Sequence, residues 1–290
     1  MTLPTSERIP SEDEKSLPPA RRRRRQRMIL PGSASKKAAF LEELAHLTTP
    51  SFDFFLFSII TGLLLGIAIL VDVQAFYVLA ALACPFMAPV FGLSLASVFG
   101  SSRFFFRTLG GTLSGSGIIF LIGALTGWAT RFWPGAVFIQ APLHAYFTWP
   151  DFIVLTCGTI IATIQIVRNP KLKPHVASVA LAYEIYLPLG VAGFGLVSGF
   201  PNLWPGGLIV FVVHLAWAAL IGTLTFAVLS LRPNTIFGYT LGSSLALIAV
   251  SAVIAVSGFG TALSTQIAMP TLSPTPTSTL TLTPTATVTV

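Results

Sequence analysis

The sequence predicts an all-α membrane protein in which about seven helices cross the bilayer. Of the 290 residues, 53% are hydrophobic and 9% are charged, and the mean hydropathy is +0.81. A soluble domain carries about 25% charged residues, so a water-soluble protein is excluded. The apolar residues also fall into blocks of roughly 18–25, the length needed to cross about 30 Å of hydrocarbon.

The amino-terminal arm, residues 1–34, is rich in charge, proline and serine and is predicted to be disordered. It contains an arginine run made of Arg21, Arg22, Arg23, Arg24, Arg25 and Arg27. Beside a membrane domain, such a run is typical of a cytoplasmic anchor that is attracted to anionic lipid of the inner leaflet. We therefore expect lipid rather than nucleic acid as its partner.

Residues 35–50 are predicted to form a short amphipathic helix. Phe40, Leu41, Leu44 and Leu47 share one helical face, and the charged residues lie largely off it. Such a helix lies on the inner membrane surface or packs against a cytoplasmic loop. The pattern is compatible with both arrangements.

Residues 51–258 are predicted to form the transmembrane domain. The spans lie near 52–71, 75–99, 108–130, 151–168, 175–199, 207–231 and 236–258. Cytoplasmic loops are enriched in Lys and Arg. When the amino terminus is placed inside, every Lys and Arg except Arg131 falls on the cytoplasmic side. We therefore predict a cytoplasmic amino terminus and a carboxyl terminus outside.

Two segments are predicted to lie outside the membrane on the outer side. The loop 131–150 is the longest between spans, and its prolines and apolar residues suggest a segment that lies on or dips into the surface. The tail 259–290 is a Thr/Pro-rich, low-complexity sequence that cannot bury a core. We expect it to be an extended external stalk.

Two proline-containing spans suggest an internal repeat. The second contains LACPFMAPVFGLSLASVFG and the fifth contains LAYEIYLPLGVAGFGLVSG. At an offset of 99 residues, Pro89 aligns with Pro188 and Gly100 with Gly199, and each segment precedes a span that begins with paired glycines. Because the two spans run in opposite directions, spans one to three and four to six are predicted to be inverted copies with discontinuous second and fifth spans. The alternative is chance similarity between two apolar segments.

The sequence also resembles a known family. CPFMAPVFGLSLASVFG, followed by an arginine-bearing loop, and LPLGVAGFGL about a hundred residues later are similar to the uncharacterised membrane family named domain of unknown function 389. The resemblance covers roughly residues 50–232 and implies a bacterial or archaeal protein of the plasma membrane, without implying a reaction. The chain departs from the pattern at Leu187, where members tend to carry a proline beside the one at Pro188.

Glu184 is an acid in the interior of a predicted span, and backbone carbonyls near it are predicted to lack partners. Pro188 has no N–H, so the carbonyl of Glu184 loses its helical hydrogen bond. By the same rule, Pro89 frees the carbonyl of Pro85, and Pro85 frees that of Ala81. Carbonyls together with one carboxylate are ligands for a hard cation, or Glu184 carries a proton itself.

Other polar side chains in the spans complete the candidate site. Tyr183 and Tyr186 flank Glu184, and His214 in the sixth span is a second buried titratable group. His214 is expected nearer the outer face, so contact with Glu184 would require helix tilt or breaks. The alternative is that Glu184 is protonated, bonded to a tyrosine or serine, and serves packing alone. Three aspartates lie at span ends and are expected to be solvated or to cap helices: Asp53, Asp72 and Asp151.

Two functional hypotheses follow. The first is a secondary transporter or channel-like protein with a cation or proton site at the bilayer midplane. The second is a structural or sensory membrane module that displays the external stalk and transports nothing. An enzyme is not predicted, because the sequence contains no HExxH, no G-x-S-x-G and no nucleotide-binding glycine loop. No cofactor or resident metal is predicted, and homo-oligomer formation is left open.

Overall fold

The computed structural model describes residues 34–84, 87–133, 135–168, 175–200, 202–229, 231, 235–247 and 250–251. The arginine run 21–27, the tail 259–290 and Pro85 lie outside these described residues. The predictions made for them are therefore not addressed by the fold.

The described residues form helices and connecting turns. The helices are α1 (Ala34–Thr48), α2 (Phe52–Val71), α3 (Gln74–Ala83), α4 (Met87–Phe99), α5 (Ser102–Ala129), α6 (Gln140–Leu143), α7 (Trp149–Arg168), α8 (His175–Ser198), α9 (Leu203–Val228) and α10 (Ile236–Leu247). A 3-10 turn, Thr130–Phe132, extends α5. Among the described residues, five helices are long and apolar enough to cross a membrane: α2, α5, α7, α8 and α9. The prediction of an all-helical membrane protein is confirmed in this coarse form.

The second predicted span is divided into two helices. α3 ends at Ala83, and Cys84 follows with extended backbone angles, φ −75° and ψ 136°. The helix α4 begins at Met87. The N–H of Cys84 donates to the carbonyl of Ala81 over 3.3 Å, so the prediction that this carbonyl lacks a partner is wrong.

The fifth predicted span is one uninterrupted helix. α8 runs from His175 to Ser198 with Pro188 inside it, so the prediction of a discontinuous fifth span is wrong. A proline inside a membrane helix is tolerated where another group satisfies the carbonyl that it frees.

Close contacts between small residues place α8 at the centre of the bundle. It packs against α2, α3, α5, α7 and α9. A Cβ atom added at Gly193 would lie 2.0 Å from the carbonyl oxygen of Phe120 on α5, and one added at Gly123 would lie 2.1 Å from that of Gly190. The α5 and α8 backbones therefore touch, as small residues allow in membrane helix pairs.

The amphipathic segment predicted for residues 35–50 is a helix that packs on the bundle. α1 contacts α4, and Leu41 and Leu44 are buried while Glu42 and Glu43 are exposed. Part of its apolar face therefore packs against a helix, which is neither of the two partners considered from the sequence, the membrane surface and a cytoplasmic loop.

Candidate functional site

A cavity of about 180 Å³ lies among α3, α7, α8, α9 and the segment that joins α6 to α7. Its polar lining consists of Gln74, His144, Tyr146, Thr148, Asp151, Tyr183, Glu184 and His214. Leu143, Pro188 and Val210 complete the wall. Three residues predicted from the sequence as site residues on α8, and His214 on α9, therefore face one space.

The carbonyl freed by Pro188 is satisfied by a side chain from α9. His214 Nδ1 lies 2.7 Å from the carbonyl oxygen of Glu184. Because a carbonyl oxygen only accepts, Nδ1 carries the proton and donates. His214 is 1% exposed, and its Nε2 has no hydrogen-bond partner among the described residues. The sequence led us to expect that contact between His214 and Glu184 would require helix tilt or helix breaks. The contact is present, and α8 is uninterrupted.

Asp151 brings a second carboxylate to the same place. One ligand atom each from Asp151, Glu184 and His214 lies within 4.8 Å of the others. The Asp151 carboxylate also accepts from the backbone N–H of Thr148 over 2.9 Å and from its hydroxyl over 2.5 Å. Asp151 thus caps the start of α7 as the acidic residue of a capping box does, by accepting from the backbone N–H three residues before it. The capping role predicted for Asp151 is therefore confirmed. The sequence did not predict that Asp151 also lines the cavity.

A polar and aromatic cluster forms the wall of the cavity on the α3 side. Gln74 donates to the hydroxyl of Tyr183. The ring of His144 lies 5.0 Å from that of Tyr77 and 5.2 Å from that of Tyr183, between ring centroids. His144 and Gln74 were not predicted as site residues, because neither lies in the interior of a predicted span.

Asp72 holds the segment that closes this wall. Its two carboxylate oxygens accept from the backbone N–H groups of Ile139 and Gln140, each over 2.9 Å. Asp72 therefore caps the start of α6, a helix distant in the sequence, which the position of Asp72 at a span end did not predict. Because His144 follows α6 directly, this cap fixes the position of the segment 139–148 beside the cavity.

Two of the other residues predicted for the site, Tyr186 and Ala81, are not among the residues that line the cavity. Tyr186 is fully buried elsewhere in the core. Ala81 is buried, and its carbonyl accepts from Cys84. Pro89 is the third residue of α4, where a helix has no intrahelical acceptor for an N–H. Pro85 lies outside the described residues.

These features define a class: a polytopic helical membrane protein in which two carboxylates and a buried imidazole meet in one cavity. Residues 81–221 match the family model described as Domain of unknown function (DUF389). The match confirms the predicted family resemblance, over a shorter range than the 50–232 expected, from the end of α3 into α9. Neither the curated proteins nor the solved structures contain a significant match to the chain. The family is uncharacterised, so function must be argued from the site.

His144 predicts a pH dependence of stability. It lies in the segment outside the candidate spans, and burial lowers the pKa of its imidazole from 6.5 to about 4, against an opposing effect of the Asp151 carboxylate. The unfolded chain takes up this proton near pH 6.5 and the folded chain only near pH 4. Stability therefore decreases as the pH falls between these values, by at most about 3 kcal/mol at 1.36 kcal/mol per pKa unit.

Thermal unfolding of the detergent-solubilised protein between pH 7 and pH 4 measures this effect. We expect His144→Gln to show a shallower loss of unfolding temperature on acidification than the parent. His46→Gln changes an exposed histidine of α1 and serves as the matched control, with the slope of the parent. Parallel curves for the His144 variant and the parent would contradict the assignment.

Proposed function

We propose that the protein is a secondary transporter or channel for a cation or a proton, and that Glu184, Asp151 and His214 are its binding groups. The observation that carries this proposal is the convergence of two carboxylates and a buried imidazole on one cavity. Ionisable groups inside membrane-spanning helices are costly and commonly mark ion or proton pathways. Among the described residues that line the cavity there is no Lys or Arg, so its charge favours a cation.

The position of Glu184 within the bundle supports a site near the bilayer middle. α8 is the most buried of the five candidate spans, with 72% of its apolar window inside the protein. Glu184 is the tenth of its 24 residues, about 15 Å along the helix axis at 1.5 Å per residue. A substrate at this carboxylate would be near the middle of the membrane, where transporter sites lie.

The proposed topology has seven spans with the amino terminus inside. α3 and α4 would together form the second span, broken between Ala83 and Met87. α10 would belong to the seventh span, which the sequence predicts near 236–258. The accumulation of Lys and Arg on one side supports this orientation.

Two glycines support the proposed inverted repeat. Gly100 follows α4 with a φ of 59°, and Gly199 follows α8 with a φ of 81°. They are equivalent at the 99-residue offset. The left-handed region is typical of a glycine that ends a helix, so the second and fifth spans end in the same way.

Helix crossings support the repeat independently. Gly193 on α8 contacts the carbonyl of Phe120 on α5. In the other half, the hydroxyl of Ser94 on α4 donates to the carbonyl of Ala219 on α9 over 3.0 Å. Ser94 is equivalent to Gly193 at the 99-residue offset. The glycine pairs Gly110–Gly111 and Gly206–Gly207 give an offset of 96 residues between the third and sixth spans. At this offset Ala219 is equivalent to Gly123, which lies within one helical turn of Phe120.

Buried hydroxyls support a polar route inward from the cavity. Thr159 and Thr163 lie about two and three turns after Asp151 along α7, and both are buried without a hydrogen-bond partner among the described residues. Ser94 and Thr159 both approach Gly222 on α9. Thr159 and Thr163 suit transient contacts with an ion or water, because their hydroxyls have no hydrogen-bond partner among the described residues.

Flux in proteoliposomes tests the proposal. Purified protein is reconstituted, and the uptake of H⁺, Na⁺, K⁺ and divalent cations is followed with enclosed dyes. We expect a cation flux above that of empty liposomes and at least a tenfold slower flux in Glu184→Gln. Glu43→Gln removes an exposed carboxylate of α1 and should leave the flux unchanged.

Two results would count against transport. If Glu184→Gln conducts as fast as the parent, Glu184 is not part of the mechanism. If the parent carries no cation at all, the structural or sensory module becomes the better interpretation.

A further inference from the structure

We propose that Asp151, Glu184 and His214 form a binding site for a divalent transition-metal ion, an inference that rests on the proposed function and names its substrate class. One carboxylate oxygen of Asp151, one carboxylate oxygen of Glu184 and a ring nitrogen of His214 lie within 4.8 Å of one another. Two atoms bound to one ion at about 2.0–2.2 Å are at most about 4.4 Å apart. Small side-chain rotations therefore bring all three onto one ion.

His214 is prepared to act as a ligand. Its Nδ1–H donates to the carbonyl of Glu184 over 2.7 Å, which leaves the lone pair of the neutral ring on Nε2. Nε2 is buried and has no partner in the described part of the chain. A metal-binding histidine typically donates its other ring N–H to a carbonyl or carboxylate, which fixes the tautomer and the ring orientation. An unpartnered buried nitrogen otherwise costs free energy.

Pro188 creates this arrangement. If residue 188 were not a proline, its N–H would donate to the carbonyl of Glu184 within the helix. Proline has no such donor, so the carbonyl is available to His214 from the neighbouring helix. The proline thus orients the imidazole, and it acts as a positioning residue rather than as a ligand.

The two carboxylates set the charge of the preferred ion. Asp151 and Glu184 bring two carboxylates to one place in the cavity. A divalent cation neutralises both. The Asp151 carboxylate is held by Thr148, and each of its oxygens keeps a lone pair for an ion.

The ligand types narrow the class of ion. Ca²⁺ takes six to eight oxygen ligands, and Mg²⁺ is usually bound by carboxylates and water. One imidazole with two carboxylates instead suits Mn²⁺, Fe²⁺, Co²⁺ or Zn²⁺. Three protein ligands leave open coordination positions for water, which suits an ion that must be released again.

Equilibrium binding of Co²⁺ and Mn²⁺ to the detergent-solubilised protein tests the inference without measuring transport. Visible absorption reports Co²⁺ geometry, and electron paramagnetic resonance reports free Mn²⁺. We expect the parent to bind one ion more tightly than it binds Mg²⁺ or Ca²⁺. Asp151→Asn, Glu184→Gln and His214→Gln should each weaken binding at least about 100-fold, the upper range for the loss of supporting groups. The exposed-site variants Glu43→Gln and His46→Gln should bind as the parent does.

Pro188→Ala provides a second variant that should remain folded. It restores an N–H that competes with His214 for the carbonyl of Glu184, while all three ligands remain. We expect about 10-fold weaker Co²⁺ binding without a lower unfolding temperature, since proline disfavours a helix interior. Parent-like binding in this variant would overturn the positioning role of Pro188.

The outcomes separate this inference from the proposed function. If the parent binds no Co²⁺ or Mn²⁺, or if the three ligand variants bind as the parent does, the metal site is overturned. Binding that depends on the three residues without any flux overturns transport and leaves the metal site standing. Flux of a monovalent cation or proton without metal binding overturns the metal site alone.

Discussion

Gly193→Ala is expected to prevent the bundle from reaching its native packing. A Cβ atom at this position would lie 2.0 Å from the carbonyl oxygen of Phe120 and 3.0 Å from the amide nitrogen of Ala124. Both are backbone atoms of α5, so no side-chain rotation relieves the overlap. The α5–α8 contact must open, and with it the centre of the bundle. We expect a loss of at least about 4 kcal/mol, in the range reserved for core disruption.

The matched control is the same substitution where space is available. A Cβ atom at Gly117 on α5 meets nothing within 4 Å, so Gly117→Ala should gain up to about 1 kcal/mol from helix propensity. Thermal unfolding and size-exclusion profiles of the two purified variants provide the comparison. Equal stability of Gly193→Ala and Gly117→Ala would show that the two helices do not touch at this crossing.

Asp72→Gly is expected to release the segment that covers the cavity. Asp72 has a φ of 55°, which glycine adopts without strain, so this substitution removes the carboxylate and preserves the turn. The N–H groups of Ile139 and Gln140 then lose their acceptors. Each hydrogen bond to a charged group contributes about 1.5–3 kcal/mol, so local opening near α6 should become at least about 10-fold more frequent.

Hydrogen exchange of residues 139–148 measures this opening directly. Asp72→Asn is expected to have an intermediate effect, because the asparagine side chain keeps one acceptor oxygen. Asparagine also tolerates the left-handed backbone. This variant should exchange at a rate between those of the parent and Asp72→Gly. Exchange in Asp72→Gly as slow as in the parent would show that another contact holds the segment. Faster exchange confined to α2 would contradict the capping role in the same way.

Much of the fold was predictable from local sequence. Apolar blocks of about 20 residues gave the membrane class because the bilayer thickness fixes helix length. The divided second span was predicted from its prolines, and it is divided. The same reasoning failed for α8, since a membrane helix tolerates a proline where another group satisfies the carbonyl that it frees. His214 supplies that donor, and it is 30 residues away in the sequence.

The candidate site shows the same limit. Glu184 and His214 were identifiable because ionisable groups are rare inside apolar segments. Asp151 and His144 were not, because each lies near a span end or in a loop, where polar residues are common. Their relevance depends on the packing that places the start of α7 and the end of α6 beside the middle of α8.

The sequence alone determined the membrane class, the family, and the pairing of Glu184 with a proline that frees its carbonyl. These are local properties, set by side-chain hydrophobicity and by the missing N–H of Pro188 four residues later. Only the tertiary structure decided that His214 satisfies this carbonyl and that Asp151 lies within reach of both. Such contacts join three helices, and their geometry follows from small-residue crossings between backbones rather than from any single segment.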